Sequence, residues 1–247
     1  MSKTVVIHQP DFLPHLGFFH RLLSADLYVA LDHVQFVHSN RSWTHRDKIK
    51  TPRGPQWLTV SVRNPPRDGP IDAVELADTD WRSANLQLIR ANYRSAPHFD
   101  EIFAELEQLY ALPVTMLAEF TMASIQLLMR LLDTPIDIVC SRTLQPEGRK
   151  NELLVDILRK VSATRYLSGP GARDYFDPVP FEDAGIEVTW QDFTHPVYPQ
   201  LHGEMVPYLS SIDLLFNCGI QHSRVILRES AGQGREDSVR HTDRRTG

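Results

Sequence analysis
The chain runs to 247 residues, 42% hydrophobic and 23% charged, with a formal net charge of −5. That length supports one substantial core, and the acidic balance argues against a general nucleic-acid binder, DNA included. No apolar run is long enough to span a membrane, and two cysteines, Cys140 and Cys218, are too few for a disulfide framework or a zinc pattern.

The opening MSKTVVIHQP lacks the charged-then-apolar pattern of an export signal, so a cytoplasmic protein with reduced core thiols is expected. Thr4 to Ile7 reads as a buried strand. A proline-punctuated turn carrying His8, Gln9, Asp11 and His15 follows, then Gly17 and a helical apolar pattern through Phe18, Phe19, Leu22 and Leu23. A strand, a tight loop and a helix start together place ligands at a strand's carboxyl end, where free N–H groups and the helix dipole meet an anion. Ser24 to Asp26 end that helix. Leu27–Leu31 reads as a second strand, releasing Asp32 and Gln35 at its end. Singly these polar residues read as ordinary wet loop; as a set they read as a site.

Arg41, Arg46, Lys48, Lys50 and Arg53 stand against only Asp47, a basic cluster directly after the second strand. It reads either as a solvated face or as the wall of a site for an anionic substrate. A strand at Trp57–Val62 and a turn-rich break at 64–70 follow. Helices are expected at Thr79–Arg94, Phe99–Leu112 and from Pro113 or Thr115 to Leu131, forming a helical lobe over about 79–132 with no assigned chemistry. Ile136–Cys140 is the next strand, 145–151 a turn, Asn151–Ser162 a helix and Arg165–Ser168 a short strand.

Ser168-Gly169-Pro170-Gly171-Ala172-Arg173-Asp174 is either a tight turn or an anion cradle, with Ser168, Gly169, Gly171, Arg173 and Asp174 around the ligand. Val188–Phe193 is a late strand. His195-Pro196-Val197-Tyr198-Pro199-Gln200 is either a rigid connection or a proline-stiffened binding loop. His195 is there the candidate general base, with Tyr198 and Gln200 beside it. Pro207–Asn217 reads as a helix capped by Ser210 or Ser211. One domain over 1–228 and a disordered polar tail over 229–247 are expected. Strands alternating with helices give an α/β class with a mostly parallel sheet and flanking helices.

Seven stretches together carry a family resemblance: HQPDFLPHLGFF, ADLYVALDHVQF, Arg46 to Lys50, WLTVSV, YLSGPGARDYF, HPVYPQLHG and YLSSIDLLFNCG. The chain resembles the WbqC-like family, named for a product of bacterial O-antigen and surface-polysaccharide gene clusters. The resemblance implies fold and cluster context more than a reaction. More distantly, His15-Leu16-Gly17-Phe18 looks like the H-x-G-H signature of HUP-class nucleotidylyltransferases, with Phe18 in place of the second histidine. That likeness implies a Rossmann-like sheet and a nucleotide, with magnesium, as cofactor.

The combined expectation is a group-transfer enzyme (acyl, aminoacyl or related) of sugar, polysaccharide or specialised-metabolite biosynthesis. It would bind a phosphate-bearing donor and work beside biosynthetic partner enzymes. His8, Gln9 and His15 would line the anion and nucleophile side, Arg46, Lys48 and Lys50 would neutralise phosphate, and Asp32 would orient the acceptor. The alternatives are a nucleotidyltransferase or ATP-dependent ligase, and a non-catalytic nucleotide-sugar-binding partner.

Overall fold
The apolar run at the start of the chain forms the middle of a parallel sheet. The structure, a computed structural model, describes residues 2–38, 42–65 and 68–242, with side chains to residue 231. Its strands are β1 (Thr4–His8), β2 (Leu27–Ala30), β3 (Arg46–Thr51), β4 (Gly54–Thr59), β5 (Asp137–Cys140), β6 (Arg165–Ser168) and β7 (Glu187–Trp190). Five of them form one sheet in the order β5-β2-β1-β6-β7, every neighbouring pair parallel. The chain starts at the centre, winds out through β2 to β5, and then resumes on the other side of β1 with β6 and β7. This is the doubly wound, Rossmann-like order, and its reversal lies between β1 and β6.

The helices are α1 (Leu16–Leu22), α2 (Trp81–Tyr93), α3 (Phe99–Tyr110), α4 (Leu117–Leu132), α5 (Ser141–Leu144), α6 (Asn151–Lys160), α7 (Val179–Asp183) and α8 (Ser211–Thr242). β1 is buried on both faces. Val5 and Ile7 belong to a core with Val155, Ile157, Leu158 and Phe181 of α6 and α7, whereas Val6 joins the α1 and α8 side with Phe18, Phe19 and Tyr28. A strand covered on both faces shows a continuous apolar run instead of alternation, which is why the sequence reveals it.

Residues 31–136 form the excursion between β2 and β5, and they carry both the three long helices and an antiparallel hairpin. The hairpin is where the sequence reading needs correction. The basic segment is strand β3, whose Asp47, Ile49 and Thr51 are buried while Arg46 and Lys48 are half-exposed. Charged residues on its outer positions hide the period-two pattern. Its partner β4 starts three residues before the expected strand, at Gly54, and the pair forms a sheet of its own.

The segment after Ser168 is likewise not an open loop. Pro170–Tyr175 is a 3-10 helix with proline in its first turn. α8 breaks once, at Gly219 (φ 72°), and its backbone continues past Arg228, so part of the tail expected at 229–247 is helical. Residues 243–247 lie outside the described residues. Among the described residues no helix is long and apolar enough to cross a membrane.

Candidate functional site
β1 and β6 pair only at Thr4↔Arg165 and Val5↔Tyr166. Beyond that point β1 is tied to β2, the His8 carbonyl accepting from Leu31 N–H (2.8 Å), and β6 to β7, the Ser168 carbonyl accepting from Gln191 N–H (2.8 Å). The two strand ends therefore belong to opposite halves of the sheet. Beside this gap lies a cavity of about 440 Å³. Gln9, Tyr166 and Ser168 line it from the strand ends, Leu31 and Val34 from beyond β2, and Tyr175 and Phe176 from the 3-10 helix. Lys150, Asn151 and Leu154 bring the first turn of α6 to it. Lys150 holds an unusual backbone (φ 52°, ψ −124°) at the helix start. Strained residues of this kind persist where the surroundings fix them, often at binding sites.

The loop after β1 is held from several sides. Ser124 Oγ accepts from Leu13 N–H (3.1 Å), Ser210 and Ser211 donate to the carbonyls of Leu13 and Pro14 (2.7 Å each), and Phe12 N–H donates to the Trp43 carbonyl (3.1 Å). These bonds offset the left-handed backbone of Leu13 (φ 43°). At the strand end His8 Nε2–H donates to Asp11 Oδ2 (2.9 Å), which orients the ring. An imidazole oriented by a carboxylate is the usual build of a general base.

His15 is the N-cap of α1, its Nδ1 accepting from Gly17 N–H (3.1 Å). This contact fixes the tautomer with hydrogen on Nε2. A Cβ at position 17 would stand 2.5 Å from His15 Cε1, so glycine is what lets the ring fold over the helix start. Burial pushes His15 down to about 4, with repulsion from Arg21, His195 and His8 adding to it and Asp11 opposing. His15 is thus a neutral N–H donor at physiological pH. Phe18, which stands where the H-x-G-H signature has its second histidine, is buried edge-on to Tyr28 (5.4 Å between centroids). That position faces the core.

His195 completes the group. Its Nδ1–H donates to the Pro196 carbonyl (2.9 Å), and its Nε2 is enclosed with no hydrogen-bond partner among the described residues. Burial lowers its pKa, against the Pro196 carbonyl. The ring of Tyr208 stands 5.8 Å from His15 and 5.2 Å from His195. His15 and His195, distant in the chain, therefore flank one tyrosine ring, and His8 is near enough to act electrostatically on His15.

Arg21 stands beside these strand ends, and the sequence reading does not single it out. It is 7% exposed, and its side chain makes no hydrogen bond or ion pair with any described residue; Nε is fully enclosed. The guanidinium reaches the end of β6, where a Cβ on Gly169 would stand 2.8 Å from Nη1. Burial works against its charge, and Tyr166, Asp11 and Tyr28 partly offset that. Near the end of a short helix an arginine reads as a solvated cation favoured by the dipole. No sequence signal sets it apart.

The remaining sequence candidates divide. Gln9, Ser168 and Gly169 are at the gap. Asp32 is 1% exposed and accepts from Ser141 Oγ and Arg142 N–H (3.0 Å each), so it ties β2 to the start of α5 instead of facing a substrate. Gln35 donates to Asp68 (3.0 Å) at the surface. Arg46 and Lys48 lie over the Trp57 ring at 4.2 and 4.9 Å, a cluster on the hairpin. Arg41 lies outside the described residues. Lys50 is 2% exposed and donates to the carbonyls of Gly203 and Glu204, so its ammonium supports that loop. Tyr198 donates to the buried Asp213 (3.0 Å), and Gln200 bonds Val206 within its own loop; both are structural. Gly171, Arg173 and Asp174 are exposed on the 3-10 helix, with Arg173 lying 5.2 Å over Trp190. In that segment Ala172 N–H donates to the Gly169 carbonyl (3.2 Å) and Phe176 N–H to the Arg173 carbonyl (3.4 Å).

A family model, the WbqC-like protein family, matches residues 9–225, which include every element of this site except β1 with its His8. The chain belongs to the WbqC-like family. It is 33% identical over 222 residues to an uncharacterized protein, Rv1507c of Mycobacterium tuberculosis (strain ATCC 25618 / H37Rv), covering 89% of this chain and 95% of that one. No solved structure matches. Family membership fixes kinship across nearly the whole WbqC-like chain, and the chemistry has to be argued from the strand ends.

Proposed function
We propose that the protein is a group-transfer enzyme. It moves an acyl, aminoacyl or related group from a phosphate-bearing donor to a hydroxyl or amine during tailoring of a sugar, polysaccharide or specialised metabolite. The observation that carries this reading is the cavity of about 440 Å³ beside the reversal point of the sheet, where doubly wound folds bind nucleotides and related ligands. Leu31, Leu154 and Phe176 offer apolar walls for a flat nucleoside-like body, and Lys150 with the α6 start suits its phosphates. In this reading His8, held by Asp11, takes the proton of the acceptor as its oxygen or nitrogen bonds to the transferred group, and the phosphate-bearing carrier departs with the electron pair of the bond that breaks. The neutral His15 Nε2–H then hydrogen-bonds the oxygen that gains charge. A magnesium ion would have to arrive on the donor's phosphates, because no cluster of three or more histidine, cysteine or carboxylate groups among the described residues could hold one.

A thermal-shift screen over nucleotides, nucleotide sugars and acyl-CoAs tests the proposal. One class is expected to raise the melting temperature by several degrees, and Leu154→Trp, which fills the cavity, is expected to remove that shift. No shift from any class, or an equal shift in L154W, contradicts it. The nucleotidyltransferase or ligase reading is favoured by the sheet order and by His15-x-Gly17 at the start of α1. It is weakened by Phe18 facing the core. Pyrophosphate release from ATP or CTP with candidate acids would select it, and tight binding without turnover would select a non-catalytic partner.

A further inference from the structure
Two cations are buried among the described residues, Lys50 and Arg21. Lys50 donates to two carbonyls, whereas Arg21 donates to nothing. An isolated buried charge is costly, and an arginine is normally found buried only where a carboxylate, a phosphate or several carbonyls receive its five N–H groups. The polar groups around Arg21 are already engaged. Asp11 receives His8, Tyr28 donates to the His8 carbonyl (3.2 Å), and the Tyr166 hydroxyl meets Ser168 Oγ (3.4 Å). Only Nε of Arg21 is fully enclosed; Nη1 lies against Gly169, whose missing side chain leaves it room. That strand end is shared with the cavity, which Tyr166 and Ser168 line.

We infer that Arg21 is the anion anchor of the site, its guanidinium receiving a phosphoryl oxyanion of the donor in the gap between β1 and β6. The inference rests on the reading of that cavity as the donor site. A planar guanidinium receives two oxygens of one phosphoryl group side by side, and a dry setting strengthens the contact. Lysine offers no such fork. The group explains two sequence choices together: a cation at position 21 with no internal counter-charge, and a glycine at position 169 whose φ of −78° does not demand one.

The test is calorimetric titration of the full chain with inorganic pyrophosphate, with succinate and added KCl at matched ionic strength as controls. Wild type is expected to bind pyrophosphate saturably and to bind succinate at least tenfold more weakly. Arg21→Met is expected to lose pyrophosphate binding while melting no lower than wild type, because an unpaired buried charge has been removed. Arg21→Lys is expected to weaken binding tenfold or more. Should R21M fail to fold, Gly169→Ala, which sets a methyl group against Nη1, is expected to weaken binding similarly in a folded protein. Equal pyrophosphate affinity in wild type and in the Arg21 variants overturns the anchor. If ATP also binds both with equal affinity, the cavity reading survives that failure. If wild type binds neither pyrophosphate nor any nucleotide, both fall.

Discussion
His15 and His45 carry the clearest pH signature. Burial holds both at about 4, with Arg21 the next contributor for His15 and His38 for His45. In the unfolded chain a histidine titrates near 6.5. Between those values the unfolded state binds protons that the folded state refuses, so stability is complete above about pH 6.5 and falls as the pH drops toward 4. Each ring is expected to cost about 2 kcal/mol between pH 7 and pH 5. Urea unfolding at the two pH values measures this, and His15→Gln is expected to shrink the difference; an unchanged difference would contradict the burial argument. At the same strand end, Asp11→Asn is expected to cut turnover ten- to a hundredfold while donor affinity changes less than threefold. A matching loss of affinity would make Asp11 a ligand contact instead of an orienting group. Lys50→Met is expected to cost about 1–3 kcal/mol by stranding two carbonyls, with donor binding intact by titration.

At the scale of elements, the break in α8 is a close approach more than a defect. Gly219 sits at φ 72°, and a Cβ there would meet the His98 ring at 2.6–2.8 Å. Gly219→Ala is expected to lose about 2 kcal/mol or more in chemical denaturation. Adding His98→Ala should recover the part due to the clash and leave the part due to backbone strain. The hairpin β3–β4 teaches a different lesson. Arg46, Lys48 and Lys50 read from sequence as one basic wall, and as residues i, i+2 and i+4 of β3 they do share a strand face. Their partners nonetheless differ: Lys50 is buried against the 203–204 carbonyls while Arg46 and Lys48 lie on Trp57. The difference comes from what packs over each position, which the strand period does not show.

For the molecule as a whole, the parallel sheet was legible because each central strand is apolar on both faces and is followed by a helix-period segment. The positions of His8, Gln9 and His15 by a strand end could be read from sequence because polar residues cluster directly after the apolar run of β1. The burial of Arg21 could not, since it depends on β6 lying beside β1, a pairing of segments far apart in the sequence. Asp32, Tyr198 and Gln200 have internal hydrogen-bond partners that the sequence does not reveal, because buried hydrogen-bonded polar groups and binding groups look alike in a sequence. The cavity itself exists only through that same β1–β6 neighbourhood. Hydrogen–deuterium exchange with the nucleotide or acyl-CoA that gives the largest thermal shift examines it directly. Bound ligand is expected to slow exchange in residues 8–21, 150–154 and 166–176 and to leave the helices at 99–132 unchanged. Protection confined to other segments, or none at a saturating concentration, would contradict a donor site at the reversal of the sheet.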